Sequence, residues 1–460
     1  MRIPVRAALV AALLLIPAGT ASAQAVPPVG DAVMSDNVEY LGSLKADIGL
    51  TTGARVVDDR LFVTSGKNIS IYDIKDPANP QLLGILPNVV WENEEVPTNG
   101  KILGFASDWY SFAPDCAYGP LGGCIQFYDV RDPANPKHLY TLDETNHTAE
   151  CVLDCQFFFG SSGTIVDARG ALEGTEPMVI GDWIEAIKDD GVDSRSCHHI
   201  REIRPGVLLT ACRPFAVISI NAEDGGSPAD PAVLATGDAE KFVHSARWPR
   251  QGSDKFLLTG GEENFTGRCE LNNSEFSVYS AEKVNEDKGD EFELLHQIEP
   301  AGNGVYADGK PVAGALGCSV HWFQEHPSFK DGGLVALSEY EDGVRFEQIK
   351  PDGSIEEVGY FLAAGSSSSS PKWAPDGKTL YSIDYQRGID ILRYNGGTFV
   401  PNAKGKVKYK KGEVRGKWGR ADARRAQGTL PRVSQAPMLR QLRANGWVPG
   451  YCRLAASRRL

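Results

Sequence analysis

The chain has 460 residues, enough for one large repeat domain or for two to three ordinary domains, and its formal net charge is −13. The charge is uneven, because residues 402–460 are rich in Lys and Arg whereas the rest of the chain has a large excess of Asp and Glu. The acidic part of the chain before residue 402 argues against nucleic acid as a partner, since the phosphate backbone binds positively charged surfaces.

The first 23 residues have the pattern of a secretory signal peptide. Arg2 and Arg6 precede an apolar run at residues 7–16, and the small residues Ala21-Ser22-Ala23 follow it. The run is too short to span a membrane, and we expect no transmembrane segment elsewhere. The pattern predicts cleavage after Ala23 and a protein that is secreted or held at the cell surface. A buried N-terminal helix is the alternative.

One motif occurs twice. Residues 71–86 read IYDIKDPANPQLLGIL, and residues 127–142 read FYDVRDPANPKHLYTL. Each copy is an alternating strand, a turn in which two prolines, an Asp and an Asn interrupt any sheet, and a second apolar run. Short strands that recur at a fixed spacing are typical of repeated supersecondary units.

Seven such units can be found between residues 24 and 401. Their clearest markers are apolar second strands, which lie at 60–66, 101–107, 156–162, 207–213, 255–261, 333–339 and 379–385. The pattern predicts an all-β fold, a seven-bladed β-propeller over 24–401, followed by a short, mostly irregular basic extension over 402–460. Two β-sandwiches, the alternative, fit the even spacing less well.

The two copies of the motif resemble LVIVD repeats, which occur in secreted and cell-surface bacterial β-propellers. The resemblance is carried by IYDIKDPANPQLLG (71–84) and FYDVRDPANPKHLY (127–140). At the level of blade type, the chain is also similar to the selenium-binding protein/methanethiol oxidase family. The resemblance implies a propeller outside the cytoplasm, but a likeness of fold does not carry a function.

Nine cysteines in an exported chain are candidates for disulfides. Hairpin and loop spacing suggests four pairs, which are Cys151 with Cys155, Cys197 with Cys212, Cys116 with Cys124, and Cys269 with Cys318, leaving Cys452 over. Other connectivities are possible, so the pairing is a hypothesis. A thiolate metal site is the competing interpretation.

Histidines are concentrated at one position of the repeat. The first strand of four consecutive blades begins with a histidine, namely His147, one of the adjacent pair His198 and His199, His244, and His321. Aligning VHSARW with TTGARV and with SSPKWA places Thr52 and Ser369 at the same position of blades one and seven. The first strand of a propeller blade is the innermost, so we expect these side chains around one mouth of the central channel.

Carboxylates are expected at the same mouth, because the second strand of each blade runs back to it; Glu262 and Glu339 end two of these strands. Three or more imidazoles beside a carboxylate suit a divalent transition metal, copper, zinc or iron. We predict metal ligands at His147, His199, His244 and His321, with Glu262 or Glu339 as a further ligand or general base. Whether His198 or His199 faces the channel stays open. The alternative for each histidine is a structural hydrogen bond to the next blade.

Two functions follow from these alternatives. The first is a metal-dependent oxidoreductase that acts on a small substrate. The second is a non-enzymatic cell-surface binding or adhesion scaffold in which the histidines are structural. We expect a monomer that binds either a small-molecule ligand or a cell-surface partner. The basic extension is either solvated or attached to an anionic surface or to the acidic part of the chain.

Overall fold

The structure is a computed structural model that describes residues 32–44, 51–65, 68–86, 94–107, 123–144, 147–188, 197–239, 241–249, 252–262, 274–285, 291–300, 316–363 and 366–396. The strands in these ranges form seven antiparallel sheets. The expected all-β, seven-bladed propeller is therefore confirmed. The predicted signal peptide, the basic extension and Cys452 lie outside the described residues.

The first half of the chain supplies two leading strands and three blades. The leading strands are β1 (Ala32–Met34) and β2 (Val38–Leu44). Blade one contains β3 (Thr51–Val57), β4 (Arg60–Ser65), β5 (Ile69–Asp73) and β6 (Gln81–Leu86). Blade two contains β7 (Ile102–Ser107), β8 (Cys124–Asp129) and β9 (Lys137–Leu142). Blade three contains β10 (Ala149–Val152), β11 (Phe157–Gly160), β12 (Thr164–Asp167) and β13 (Met178–Asp182).

The second half supplies four blades. Blade four contains β14 (His199–Arg204), β15 (Val207–Ala211), β16 (Phe215–Ser219) and β17 (Ala232–Gly237). Blade five contains β18 (Val243–Arg247), β19 (Phe256–Gly261), β20 (Phe276–Ser280) and β21 (Glu293–Ile298). Blade six contains β22 (Phe323–Glu325), β23 (Gly333–Ser338), β24 (Val344–Ile349) and β25 (Ile355–Ala363). Blade seven contains β26 (Ser368–Trp373), β27 (Thr379–Asp384) and β28 (Gly388–Tyr394).

Helices are short in this part of the chain. The α-helices are α1 (Trp183–Ile187) and α2 (Glu282–Asn285), both in connections between strands. None of the described helices has the length and apolar character that crossing a membrane requires.

The hydrophobic cores lie between neighbouring blades. The second strands β7, β19, β23 and β27 are buried along their whole length, because both faces of a blade are covered by the adjacent blades. Phe127 of blade two meets Phe158 of blade three edge-on, with ring centroids 5.1 Å apart. This uniform burial explains why the second strands are the clearest apolar runs in the sequence.

The leading strands close the ring. β2 pairs with β28 as the fourth strand of blade seven, with Val38 opposite Tyr394. β1 adds a fifth strand to blade six by pairing with β25. Pairing the start of the propeller with its last blades removes edges that would otherwise stay open.

The repeated Asp-Pro-Ala-Asn-Pro motif is an outer turn. In blade one, the Asp76 carboxylate accepts from the backbone N–H of Ala78, and the Asp76 carbonyl accepts from the N–H of Asn79. Asp132 makes the same two bonds in blade two. The turn joins the third strand to the fourth, away from the axis, so the motif builds the blade and takes no part in a site at the channel.

Two of the four predicted disulfides are formed between described residues, Cys151 with Cys155 and Cys197 with Cys212. Cys124 and Cys318 are also disulfide-bonded. Cys116 and Cys269, the partners predicted for them, lie outside the described residues.

We predict that Glu341 makes the stability of the propeller depend on pH. Its buried carboxyl accepts from the N–H groups of Leu316 and Gly317 and from the hydroxyl of Ser367, and burial raises its pKa to about 7. Between the unfolded value of 4.5 and 7, the folded state keeps a proton that the unfolded state has released. The free energy of unfolding should therefore fall by about 3 kcal/mol as the pH rises through this window.

Denaturant titrations from pH 4.5 to 7.5 measure this slope, and Glu341→Gln should reduce it. Glu356→Gln, at a half-exposed carboxylate, is the control and should keep the slope of the parent. An unchanged slope in Glu341→Gln would contradict the assignment.

Candidate metal centre

The inner strands of several blades begin with a β-bulge. Thr52, His244 and Ser369 are skipped in the pairing of the first strand with the second. In blade four, His198 donates its N–H to the carbonyl of Ala211, the residue that is paired with His199. An extra residue at a bulge aims its side chain in a new direction, here toward the axis.

The equivalent position can be followed around the ring. Its occupants from blade one to blade seven are Thr52, Glu94, His147, His198, His244, His321 and Ser369. Blade two has no regular inner strand among the described residues, but Thr98 bridges to Leu103 of β7. Glu94 precedes that bridge and reaches the axis, where it contacts the other blades.

Glu94 is buried among the histidines that occupy this position in blades three to six. Its Oε1 lies 2.7 Å from Nε2 of His321, and its Oε2 lies 3.3 Å from Nε2 of His244. The same Oε2 is 3.8 Å from Nε2 of His198 and 4.0 Å from Nε2 of His147. Four Nε2 atoms therefore converge on one carboxylate.

Two of the imidazoles are oriented by backbone carbonyls. Nδ1 of His244 is 3.0 Å from the carbonyl of His321, and Nδ1 of His321 is 2.9 Å from the carbonyl of Ser369. Because a carbonyl only accepts, Nδ1 carries the hydrogen and Nε2 is free to act as a ligand. Both Nε2 atoms are buried without an aligned hydrogen bond, despite their proximity to Glu94. Buried Nε2 atoms that face a carboxylate at 2.7 and 3.3 Å fit a metal site.

Burial and neighbouring charges shift the pKa values of the clustered groups in both directions. Burial opposes the charge of Glu94, but His321 and His244 outweigh it and hold the pKa of its carboxyl well below its usual range. Burial, reinforced by His244 and His147, lowers the pKa of His198 well below its usual range. Burial also lowers the pKa of His244, and Glu94 raises the pKa of His321 against the effect of burial.

A second carboxylate and three aromatic side chains complete the site. Oε2 of Glu262 lies 3.6 Å from Nε2 of His244, and Tyr340 donates its hydroxyl to Oε1 of Glu262. Tyr385 donates to Oε1 of Glu94 at 2.9 Å, and the Trp322 indole donates to Oε2 at 2.9 Å. The carboxylates are thus held in place by neighbouring blades.

Three sets of ligand atoms lie within 4.8 Å of one another among the described residues, namely Glu94 with His147 and His198, Glu94 with His244 and His321, and His198 with His244 and Glu262. Histidine nitrogen and carboxylate oxygen are the ligands that zinc, copper and iron take. The residues present therefore fit a divalent transition metal.

The structure brings together most of the predicted site. His147, His244, His321 and Glu262 lie in the cluster. His199 was predicted as the blade-four ligand, but His198 is the one that reaches Glu94, because the bulge falls there. His199 lies against Trp322, with ring centroids 4.7 Å apart. We therefore replace His199 by His198.

Glu339 lies elsewhere. It is buried 3.7 Å from Arg345, a guanidinium that also bonds Asp342 at 2.7 Å. Burial, reinforced by Asp342, raises the pKa of Glu339 well above its usual range. Its place at the end of a second strand did not bring it to the histidines, so it is left out of the ligand set.

Sequence reasoning missed Glu94. The segment around it has neither the HSAR nor the HTAE pattern of the histidine blades, and the neighbouring inner strand is irregular. One signal was present, since Glu94 precedes the second strand of its blade by the same eight positions as Thr52 does. Counting back from the second strand would have aligned it with Thr52, the blade-one residue at the histidine position.

A layer of buried charges lies beside the metal cluster. Lys372 contacts Glu95 at 2.9 Å and lies over the Trp322 ring at 5.8 Å. Arg201 is 3.9 Å from the same carboxylate, and Arg55 pairs with Glu150 at 3.3 Å. Burial lowers the pKa of Lys372 to about 8, whereas Lys372 and Arg201 overcome the burial of Glu95 and hold its pKa well below its usual range. These ion pairs link blade two to blades four and seven, and blade one to blade three.

Comparison with known proteins supports the fold alone. No known family profile matches the chain, and no curated protein matches it. Among solved structures, the β-propeller domain of Cps50 (Swd1) from Myceliophteria thermophila is similar, with 13% identity and a TM-score of 0.50 over 77% of this chain and 99% of that chain. U3-55K and the RRP9 WD40 repeats each have 12% identity and a TM-score of 0.48 over 78% of this chain and 98% of theirs.

We predict that Gly53→Ala disturbs the site through Glu94. A Cβ at Gly53 would lie 1.9 Å from the backbone oxygen of Glu94 and 2.6 Å from its Cα, so the backbone of Glu94 must shift. We expect a loss of about 1–3 kcal/mol in the free energy of unfolding, measured by denaturant titration.

Ser370→Ala is the matched control, because Ser370 occupies the equivalent position of blade seven. Its Cβ is already accommodated and its buried hydroxyl oxygen has no hydrogen-bond partner among the described residues. This variant should keep the stability of the parent. Equal stability of Gly53→Ala and the parent would show that the close approach is tolerated.

Proposed function

We propose that the chain is an exported β-propeller protein whose function depends on transition metal held at one channel mouth. The ligands are Glu94, His147, His198, His244, His321 and Glu262. The observation that carries the proposal is the convergence of four Nε2 atoms on one buried carboxylate, with Nδ1 of His244 and of His321 committed to backbone carbonyls. The metal is copper, zinc or iron.

The reaction that suits this centre best is a metal-dependent oxidation of a small substrate. Bound metal would supply redox or Lewis-acid chemistry. The His147 side chain is 28% exposed, whereas those of His244 and His321 are 0% exposed, so a substrate would approach from the side of His147. Of the two roles predicted for Glu262, its position beside Nε2 of His244 favours that of ligand over general base.

Export and repeat type belong to the same proposal. We assign residues 1–23 to a signal peptide, 24–401 to an LVIVD-type propeller and 402–460 to a basic extension. Two disulfides between described residues are compatible with an oxidising compartment. The paired Asp-Pro-Ala-Asn-Pro turns support the repeat type.

A non-enzymatic binding scaffold is the second candidate. The outer strands of blades one, three and five carry exposed apolar side chains, namely Leu82, Ile85, Met178, Val179, Leu294 and Leu295. Exposed apolar groups of this kind suit contact with a partner. The two candidates differ in whether the protein needs metal.

We predict stoichiometric transition metal in the protein purified after native export, measured by elemental analysis. His244→Ala should lower the metal content, because it removes a fully buried ligand that faces both Glu94 and Glu262. A parent protein that contains no metal would contradict the metal proposal and favour the non-enzymatic binding scaffold.

His138→Ala is the matched control. His138 is exposed on β9, and its Nε2 lies 2.8 Å from the hydroxyl oxygen of Thr141. This variant should retain the metal content of the parent, which separates loss of a ligand from the general effect of removing a histidine.

A further inference from the structure

We infer that the cluster holds two metal ions bridged by the Glu94 carboxylate, one sealed and one accessible. The inference rests on the proposed metal-dependent function and adds the number, the ligands and the accessibility of the ions. The sealed ion has Glu94, His244, His321 and Glu262 as ligands. The accessible ion has Glu94, His147 and His198.

The grouping of ligand atoms is the first argument. The set of Glu94 with His147 and His198 and the set of Glu94 with His244 and His321 share the carboxylate but no histidine. Among the described residues, no set combines Glu94 with histidines from both pairs; a third set joins His198 and His244 through Glu262, whose carboxylate lies 3.6 Å from His244 and 3.9 Å from His321. A single ion about 2.0–2.1 Å from each nitrogen would need all of them close together. Two ions, one in each set, can be bound by these side chains in the positions that they occupy.

The orientation of Glu94 is the second argument. Oε1 faces His321 at 2.7 Å, while Oε2 lies between His244 at 3.3 Å on one side and His198 at 3.8 Å and His147 at 4.0 Å on the other. A carboxylate that contacts both histidine pairs in this way is suited to bridging. Bridged two-metal sites place their ions about 3.5–4 Å apart.

The number of ligands differs between the two sets. Glu262 lies 3.6 Å from Nε2 of His244 and 3.9 Å from Nε2 of His321. It is therefore the fourth ligand of the set that contains Glu94, His244 and His321. The other set has three protein ligands and keeps a position free. Closed four-ligand sites are typical of structural zinc, whereas three ligands with an open position are typical of reactive metal.

Burial follows the same division. The side chains of His244 and His321 are 0% exposed, whereas His147 is 28% and His198 14% exposed. Tyr340 stacks on the His321 ring with centroids 4.6 Å apart and covers that side. A chelator can therefore reach one ion directly and the other only after the site opens.

The test counts ions and follows their release. The full-length mature protein is stripped of metal, reloaded with zinc(II) and freed of excess by gel filtration. Zinc per chain is then measured, and its transfer to a chromogenic chelator is followed in time. We expect two zinc ions per chain, leaving in two phases whose rates differ at least tenfold.

Two variants assign the phases. His147→Ala should keep one zinc ion and lose the fast phase, and His321→Ala should lose the slow phase. His138→Ala, at an exposed histidine outside the cluster, should keep both. Far-ultraviolet circular dichroism confirms that each variant is folded, and the count in the parent decides the question even where a variant fails to fold.

The outcomes separate the two proposals. One zinc ion per chain, lost in both His147→Ala and His321→Ala, would overturn the two-ion inference and leave the proposed metal-dependent function standing. Two ions released at one rate would overturn the division into sealed and accessible ions. A parent that binds no zinc and contains no metal after native export would overturn both proposals.

Discussion

The negative charge of Glu94 is buried near the axis of a propeller, where water cannot screen it. Such a charge is tolerated only when hydrogen-bond donors or positive charge surround it. Trp322 and Tyr385 donate to it from blades six and seven, and the imidazoles of His244 and His321 lie against it. The interaction therefore joins blade two to blades five, six and seven, and the arrangement around the channel mouth depends on it.

The propeller supplies this arrangement through a bulge that recurs at the start of its inner strands. The same backbone position carries a carboxylate in blade two, imidazoles in blades three to six and hydroxyls in blades one and seven. Blade seven, which carries a hydroxyl at this position, helps to orient a ligand of blade six. The carbonyl of Ser369 accepts from His321, and the Ser369 hydroxyl donates to the carbonyl of Thr52 in blade one. The chemistry of the ring is thus set by substitutions at one position of a common unit.

The sequence predicted the blades better than the site. Second strands such as β7 and β19 are buried on both faces, so they form continuous apolar runs that can be recognised without neighbours. The choice between His198 and His199 depended on where a bulge falls, which is fixed by pairing with Ala211 and leaves no local pattern. Glu94 lies in a segment that does not contain the sequence patterns shared by the histidine-bearing strands. The closing strand β2 was not anticipated, because its partner β28 lies at the far end of the propeller sequence.

That closing pair has a consequence for how the protein folds. Glu39 on β2 and Arg393 on β28 are 354 positions apart in the chain, so the last sheet requires the two ends of the propeller sequence to meet. Contacts between such distant segments carry a loop-closure entropy and slow the search for the native state. Ser369, which orients His321, belongs to this last sheet. The histidine cluster therefore depends on ring closure, and a chain whose ends have not met would offer an incoming ion an incomplete set of ligands.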